Sequence, residues 1–437
     1  MVKSNSPVGE LLPGIMRKIL QKITKFLARI IIGRYQPKII AISGSVGKTS
    51  TKEAIRTVLE YEFKVRSTIL NQNNEIGVPL TILGEQGAGK NIVGWATIFL
   101  RAIFLILIKS KNYPQILILE YGVDRPGDMD YLLSIAKPTV GVMTSIGEIP
   151  VHVEFFSGFK ALAKEKSKMI YALPENGLAV LNFDDAVVSA MRDITDAKCV
   201  TYGFGQGADI LGDEISILQD AEKSLLGITF KVHTGGSFVP VRILGAFGKP
   251  QAYAILAAFG VGMFLGMNLV EISQAVQRYQ SLPGRTKIIP GIKGSLIIDD
   301  TYNASPLSMH AALDFLQDIG APRKIAVLGD MLEIGKYSEE AHRSVGDKAK
   351  NISDLIITIG ERAKFIHQEA LENNFPQDNL KHFETSKEAG EFLDKIIEAG
   401  DVVLVKGSRA MRMEKVVYEI MKHPEESKKL LVKDPLS

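Results

Sequence analysis

The chain has one cysteine, Cys199, in 437 residues. That excludes an intrachain disulfide framework and a four-cysteine zinc site, and it fits a reducing compartment. An excess of either charge is also missing. The 52 basic side chains face 49 acidic ones, a net charge of +3, which argues against nucleic acid as the main partner. No long apolar run goes uninterrupted. The strongest, Ile92 to Ile108, is 17 residues long and carries Arg101 in its middle, which is short for a membrane span and costly in lipid. It reads as a buried or interfacial helix. A secretory leader is excluded, because charges run through the apolar part of the first segment and no small-residue cleavage site follows. No repeat of solenoid type is visible.

What remains is globular: 46% hydrophobic and 23% charged residues exclude a disordered or fibrous chain. At about 150 residues per domain, the length predicts about three domains. The charge is unevenly placed. Residues 1–38 hold eight basic side chains and one acid, Glu10, so this segment is +7 and the rest of the chain −4. Met16, Ile19, Leu20, Ile23, Leu27, Ile30 and Ile31 recur every three or four residues, with Lys18, Lys22, Lys25 and Arg29 on the other side. This spacing predicts an amphipathic helix stopping near Gly33. Such a helix packs on the next domain or lies on an anionic membrane surface.

Beyond residue 38, short apolar runs alternate with helical patterns: Lys38–Ser43, Ile116–Leu119, Thr139–Thr144, Leu178–Asn182, Leu296–Asp299, Lys324–Leu328, Leu355–Ile359 and Val402–Val405. The alternation predicts an α/β protein with largely parallel sheets. Residues 209–244 read as more β-like, with Gly235-Gly236 as a hairpin signal. Leu282-Pro283-Gly284 breaks a helix and marks a boundary. The expected organisation is a basic helical segment (1–37), a central nucleotide-binding domain (38–282), a C-terminal α/β domain (283–425) and a loose charged tail (426–437).

The strand KIIAIS runs into GSVGKTS, Gly44 to Ser50. Gly44 and Gly47 permit a tight turn whose amides, with those of Ser45, Val46 and Ser50, point at phosphate oxygens. Lys48 supplies a cation, the Thr49 hydroxyl can ligate Mg²⁺, and a helix beginning near Thr49 presents its positive end. The strand–loop–helix context is what a phosphate loop requires.

Several further segments join this loop, namely NQNNEIGVPLTIL (71–83), LILEYGVDRPGDMDYL (117–132), IGEIPVHVEFF (146–156) and AKEKSKMIYALPENG (163–177). They continue with LPGRTK (282–287), IIDDTYNASPLSM (297–309), VLGDMLEIGKYSEEAH (327–342) and LVKGSRAMRMEKVV (404–417). Together they resemble the Mur ligase family. The resemblance implies a P-loop central domain of mostly parallel sheet with helices on both faces, followed by a Rossmann-like C-terminal domain. It implies an ATP-dependent cytoplasmic ligase, active as a monomer, that makes a peptide bond through an acyl phosphate. The DDTYNASPLSM, LGDMLEIG and KGSRAMRME segments are most similar to the branch that adds D-alanyl-D-alanine to a UDP-N-acetylmuramoyl tripeptide. A Mur-type ligase for a different carboxylate, or a non-catalytic nucleotide-binding module, stays open.

The resemblance also implies roles. Thr49 and Glu120 would hold one Mg²⁺, and His152 and Lys166 a second, with Lys166 carbamylated in several family members. Lys48 neutralises phosphate. Arg285, Asp300 and Asn303 would contact ATP from the last domain. Asn71, Asn73 and Asn74 lie in a loop near nucleotide and acceptor, and Lys406, Ser408 and Arg409 suit the carboxylate of the incoming dipeptide. The sequence departs from the family in three places. A UDP-sugar-binding domain is expected where the basic helix stands. Pro250, Gln251 and Ala254 replace a His-Asn and a later Asn that help hold adenine. Thr144-Ser145 replaces Thr-Asn, which removes an amide from the catalytic region.

Overall fold

A computed structural model describes residues 14–69, 72–222 and 224–435. Two sheets organise the chain. The first contains β1 (Lys38–Ser43), β2 (Val65–Ser67), β3 (Ile116–Glu120), β4 (Val140–Met143), β5 (Leu178–Asn182), β6 (Lys198–Gly203), β7 (Ile210–Gln219), β8 (Leu225–Thr234) and β9 (Ser237–Leu244). Its order is β2-β3-β1-β4-β5-β6-β7-β8-β9. The pairs from β2 to β7 are parallel, and the last two are antiparallel. The second sheet is built from β10 (Lys287–Pro290), β11 (Leu296–Asp300), β12 (Arg323–Gly329), β13 (Leu355–Ile359), β14 (Leu380–Phe383) and β15 (Asp401–Lys406). Its order is β10-β11-β15-β12-β13-β14, parallel except for β10 with β11. The antiparallel β7–β9 ribbon turns at Gly235-Gly236, both with positive φ, as a tight hairpin requires.

The central strands of the first sheet are buried on both faces, which is why they read as continuous apolar runs. Ile40 and Ile42 of β1 face α2 (Lys48–Leu59) and the later helix Lys249–Phe264. Ile39 and Ala41 face the other side. That side is covered by α1 (Gly14–Tyr35), α3 (Gly77–Leu83), α4 (Ile92–Leu107), α5 (Asp128–Ile135) and α6 (Phe159–Tyr171).

Three expectations need correction. Gly33 does not stop the first helix, which continues to Tyr35. The Tyr35 hydroxyl donates to the carbonyls of Leu105 and Ile108 at 3.0 and 3.2 Å, and its ring stacks on Tyr113. Packing at the helix end outweighs the weak helix preference of one glycine. Of the two readings of the 92–107 helix, buried or interfacial, the first falls: only Trp95, Ile98 and Ala102 are buried. The tail is not loose over its described part. Leu431 is buried in the core of the second sheet, and Arg412 donates to the Asp434 carbonyl at 2.9 Å.

Gly33 is exposed, and an added Cβ would meet nothing within 4 Å. Gly33→Ala should therefore stabilise the protein by roughly 0.5–1 kcal/mol. Chemical denaturation measures this, and an unchanged or lowered midpoint would count against the helical assignment of this turn.

Candidate active site

The loop after β1 is shaped by close approach. A Cβ on Gly44, whose φ is +141°, would lie 2.0 Å from the Thr144 hydroxyl. The Ser45 and Val46 amides donate to the Ser145 carbonyl at 2.8 and 3.1 Å, so the loop leans on the end of β4. Gly47, with φ +89°, turns the chain into α2, and no side chain caps that helix start. The amides at the start of α2 therefore face the cavity that Gly47, Lys48, Thr49 and Ser50 line. The buried Ser45 hydroxyl has no partner among the described residues.

Two lysines converge on this loop. Lys48 Nζ donates to the Gly44 carbonyl at 2.9 Å, and Lys166 Nζ donates to the same oxygen at 2.9 Å. Lys166 is only 1% exposed. Burial, reinforced by the Lys48 ammonium, pushes Lys166 down to about 7. Burial likewise lowers Lys48, while Glu120 and Asp124 pull it back up. An ammonium offers donors only, so Lys166 could serve a metal only in the carbamylated form that the family resemblance implies. It lies behind the loop, outside the residues that line the cavity.

Glu120 ends β3 directly beside β1, with Ile42 as its register partner. Asn73 Nδ2 donates to Glu120 Oε1 at 3.2 Å, and the buried Oε2 has no partner. A buried carboxylate oxygen left open beside Thr49 fits one Mg²⁺, which takes oxygen ligands and keeps others for phosphate and water. Among the described residues, no group of three His, Cys, Asp or Glu side chains stands ready to hold a metal by itself.

His152 reaches the cavity from a turn with φ +69°. Its Nδ1 stands 3.4 Å from Asp124 and 3.5 Å from Glu333. Burial lowers His152 to about 4, against the pull of Asp124, so its ring is neutral at ordinary pH. Burial, with Asp124 and Glu154 nearby, pushes Glu333 up to about 7. Asp124 and Glu333 were missed as site residues. Both lie in segments that carry the family resemblance, and only the folded chain brings them to one histidine.

The second sheet supplies the opposite wall. Arg285 Nη2 donates to the Thr49 hydroxyl at 3.3 Å, and its guanidinium stacks 3.8 Å from the Tyr302 ring centre. Lys406 is 2% exposed and is consumed internally. It donates to Asp300 Oδ2 at 2.6 Å and to the Asn303 carbonyl at 2.9 Å. Asp300 Oδ1 accepts from the Thr286 amide at 3.0 Å. Lys406 therefore shapes the 300–303 loop and is not a free cation for a dipeptide carboxylate, as the sequence suggested. Ser408 Oγ accepts from the Leu332 amide at 2.8 Å, and Asn303 Oδ1 accepts from the Arg409 amide at 3.3 Å. The Arg409 Nη1 is buried and lacks a hydrogen bond, with Glu414 3.6 Å away. Arg409 is thus the more available of the two cations.

A cavity of about 470 Å³ is lined by the loop from Ser45 to Ser50, Asn73, Glu120, His152, Arg285, Asp300, Asn303, Lys406, Ser408 and Arg409. Asn74 is outside it. Its carboxamide oxygen accepts from the Ile76 and Gly77 amides at 3.2 and 2.9 Å, a cap for α3 in place of the expected substrate contact. Asn71 lies outside the described residues. A larger cavity of about 1390 Å³ adjoins at Val46 and Gly47 and includes Asn182, Asp184, Lys249, Tyr253 and Leu307. Gln251 donates to the Arg285 carbonyl at 2.9 Å and accepts from Tyr279 at 2.5 Å, so its amide is engaged within the protein. The amide absent at Ser145 is replaced nearby by Asn182, whose Nδ2 donates to Ser145 Oγ at 2.8 Å.

Residues 42–93 and 103–262 match the Mur ligase middle domain, and residues 284–409 match the glutamate ligase domain of Mur ligases. The UDP-N-acetylmuramoyl-tripeptide–D-alanyl-D-alanine ligase of Bacillus subtilis is 28% identical over 91% of this chain and 79% of its own length. That of Mycobacterium leprae is 30% identical over 85% of this chain and 71% of its own. Among solved structures, a MurF ligase from Thermotoga maritima in complex with ADP superposes with a TM-score of 0.75 at 27% identity, covering 93% of this chain and 84% of that one.

The Asp300–Lys406 pair is buried, so removing one partner strands a charge. Asp300→Asn should destabilise the protein by roughly 3–5 kcal/mol, and adding Lys406→Met should recover part of that loss. Urea denaturation of the two variants checks this. Equal stability of Asp300→Asn and the parent would mean that the pair does not hold the loop.

Proposed function

The chain belongs to the Mur ligase family, and from that premise we propose that it joins D-alanyl-D-alanine to a UDP-N-acetylmuramoyl tripeptide. The reaction is an ATP-dependent ligation in peptidoglycan precursor synthesis. The observation that carries this reading is one cavity in which the phosphate loop, the open carboxylate of Glu120 and two arginines from the second sheet converge.

The acceptor carboxylate attacks the γ-phosphorus, the bond to the β–γ bridging oxygen breaks, and ADP leaves. The amine of the dipeptide then attacks the acyl carbon, phosphate departs with the carbonyl–oxygen bond, and the amine loses its proton. Both steps bring anions together, so the protein's part is positioning and charge neutralisation. The amides at the start of α2, together with Lys48, hold the β and γ phosphates. Arg285 stands where charge develops, kept planar against Tyr302. Mg²⁺ held by Thr49 and Glu120 would supply further neutralisation beside the phosphates. The nucleoside extends into the larger cavity. Arg409 takes the dipeptide carboxylate.

A second Mg²⁺ belongs to the same reading and requires Lys166 as a carbamate. In that modification the neutral amine adds to CO₂ and loses a proton, which turns a buried donor into an oxygen ligand. Its buried position favours the neutral amine. With ¹³C-labelled bicarbonate, the protein should show one carbamate carbon resonance that is absent from Lys166→Ala. If the two spectra match, the carbamate is excluded.

The decisive assay is phosphate release with a panel of acceptors and amines, the product identified by mass. Turnover should need both a UDP-muramoyl tripeptide and D-alanyl-D-alanine, and Lys48→Ala should abolish it. ATP binding with no turnover for any pair would favour a non-catalytic nucleotide-binding module. Full turnover with a different carboxylate would move the chain to another ligase specificity.

A further inference from the structure

We propose that the outward faces of α1 and α4 form one docking surface that seats this protein on an anionic phospholipid bilayer. The inference rests on surface chemistry and is independent of the ligase reading.

The first helix has three faces where an ordinary surface helix has two. Leu20, Thr24, Leu27, Ala28 and Ile31 are buried against the sheet side. Ile15, Ile19, Ile23 and Phe26 form a second apolar ridge that points outward, with Phe26 64% and Ile15 79% exposed. Lys18, Lys22 and Arg29 run beside that ridge, exposed and without ion pairs among the described residues. Core packing explains the first face only.

The fourth helix repeats the pattern more strongly. Its buried seam is Trp95, Ile98 and Ala102. Ile92, Val93, Leu100, Ile103, Phe104 and Leu107 fall on the opposite side, each between 44% and 75% exposed. Arg101 leaves this stripe sideways to pair with Glu85 at 3.1 Å. Lys90 precedes the helix, and Lys109 and Lys111 follow it, all exposed. Cationic ends around an apolar face suit a helix lying at headgroup level, where lysine stems reach back to phosphate.

Both helices cover the same face of the first sheet and pack on each other. Arg34 Nη2 donates to the Leu107 carbonyl at 3.2 Å, which joins their C-terminal ends. Their outward sides therefore belong to one side of the molecule. Charge selects the occupant. No acid occurs between Leu11 and Lys52, and none between Gln86 and Leu119. A second copy of this chain would bring basic ridges against basic ridges, and the acids beside the two helices, Glu75 and Glu85, are already paired with Arg17 and Arg101, whereas anionic lipid offers the opposite charge over an area. No helix among the described residues is long and apolar enough to cross a membrane. At 1.5 Å per residue, the fourth helix is about 24 Å long, short of a hydrocarbon core of about 30 Å, so it lies along the surface.

Vesicle co-sedimentation of the full chain tests this. Binding to phosphatidylglycerol–phosphatidylcholine vesicles should exceed binding to phosphatidylcholine alone and should weaken as salt rises. Lys18→Gln with Lys22→Gln and Arg29→Gln should weaken it on the order of a hundredfold. Leu100→Glu with Phe104→Glu should weaken it by at least about tenfold. These positions are exposed, so the nucleotide-induced rise in unfolding temperature should persist in both variants and report a folded chain. Absent or charge-independent vesicle binding overturns the proposal. A dimer in analytical ultracentrifugation that the Leu100 and Phe104 substitutions dissolve would assign the face to a second copy. Vesicle binding gained only when residues 1–13 are deleted would assign it to the chain's own first residues.

Discussion

Two lysine amines share one carbonyl oxygen, and the site is arranged around that crowding. Lys48 and Lys166 each donate to the Gly44 carbonyl at 2.9 Å. Burial and the neighbouring Lys48 ammonium push Lys166 down, against the pull of Asp124 and Asp128. An anion entering the loop relieves this, as phosphate does at helix starts. The same crowding explains the glycine. Only a residue without a Cβ lets Gly44 sit against Thr144 and turn its carbonyl toward both lysines.

The second sheet meets this centre through contacts of unequal kind. Lys406 and Asp300 form a buried pair that fixes the loop carrying Tyr302 and Asn303. Asp299, pushed up to about 6 by burial, accepts from the Gly284 amide at 3.0 Å and anchors the preceding turn. Between these two anchors Arg285 is aimed across at Thr49. A buried ion pair contributes little net stability, because desolvation offsets its attraction, but it does fix geometry. Its role here is to hold an arginine in place.

Much of this was legible in the sequence, and the failures have physical causes. The strands were readable because burial on both faces makes them continuous apolar runs, and GSVGKTS was readable because its chemistry is local. Lys406 was misread because its counterion is 106 positions away in sequence, so a cation after a strand looked free. Asn74 was misread because an asparagine that caps a helix and one that binds a ligand look the same in a sequence. Asp124 and Glu333 acquire meaning only beside His152. The apolar spacing of residues 16–31 was right about the helix. It could not show that Ile19 and Ile23 point outward while Leu20 and Leu27 point in, since the stripe is wider than the seam that packs.

His152 and Glu333 show how the two halves of the cavity are balanced. Each is a non-glycine residue in the left-handed region, with φ of +69° and +65°. One comes from the loop after β4 and the other from the loop after β12, and they meet at 3.5 Å. Such backbone costs of order 1–3 kcal/mol per residue and persists where the surroundings over-determine it. Here the strain brings a carboxylate that burial holds near neutral pH against a neutral imidazole, with Asp124 at 3.4 Å. This wall is rich in acceptors, and the facing wall of Lys48 and Arg285, with Arg409 beside them, is rich in donors. A triphosphate with its cation carries both characters, and a ligand of that kind satisfies both walls at once.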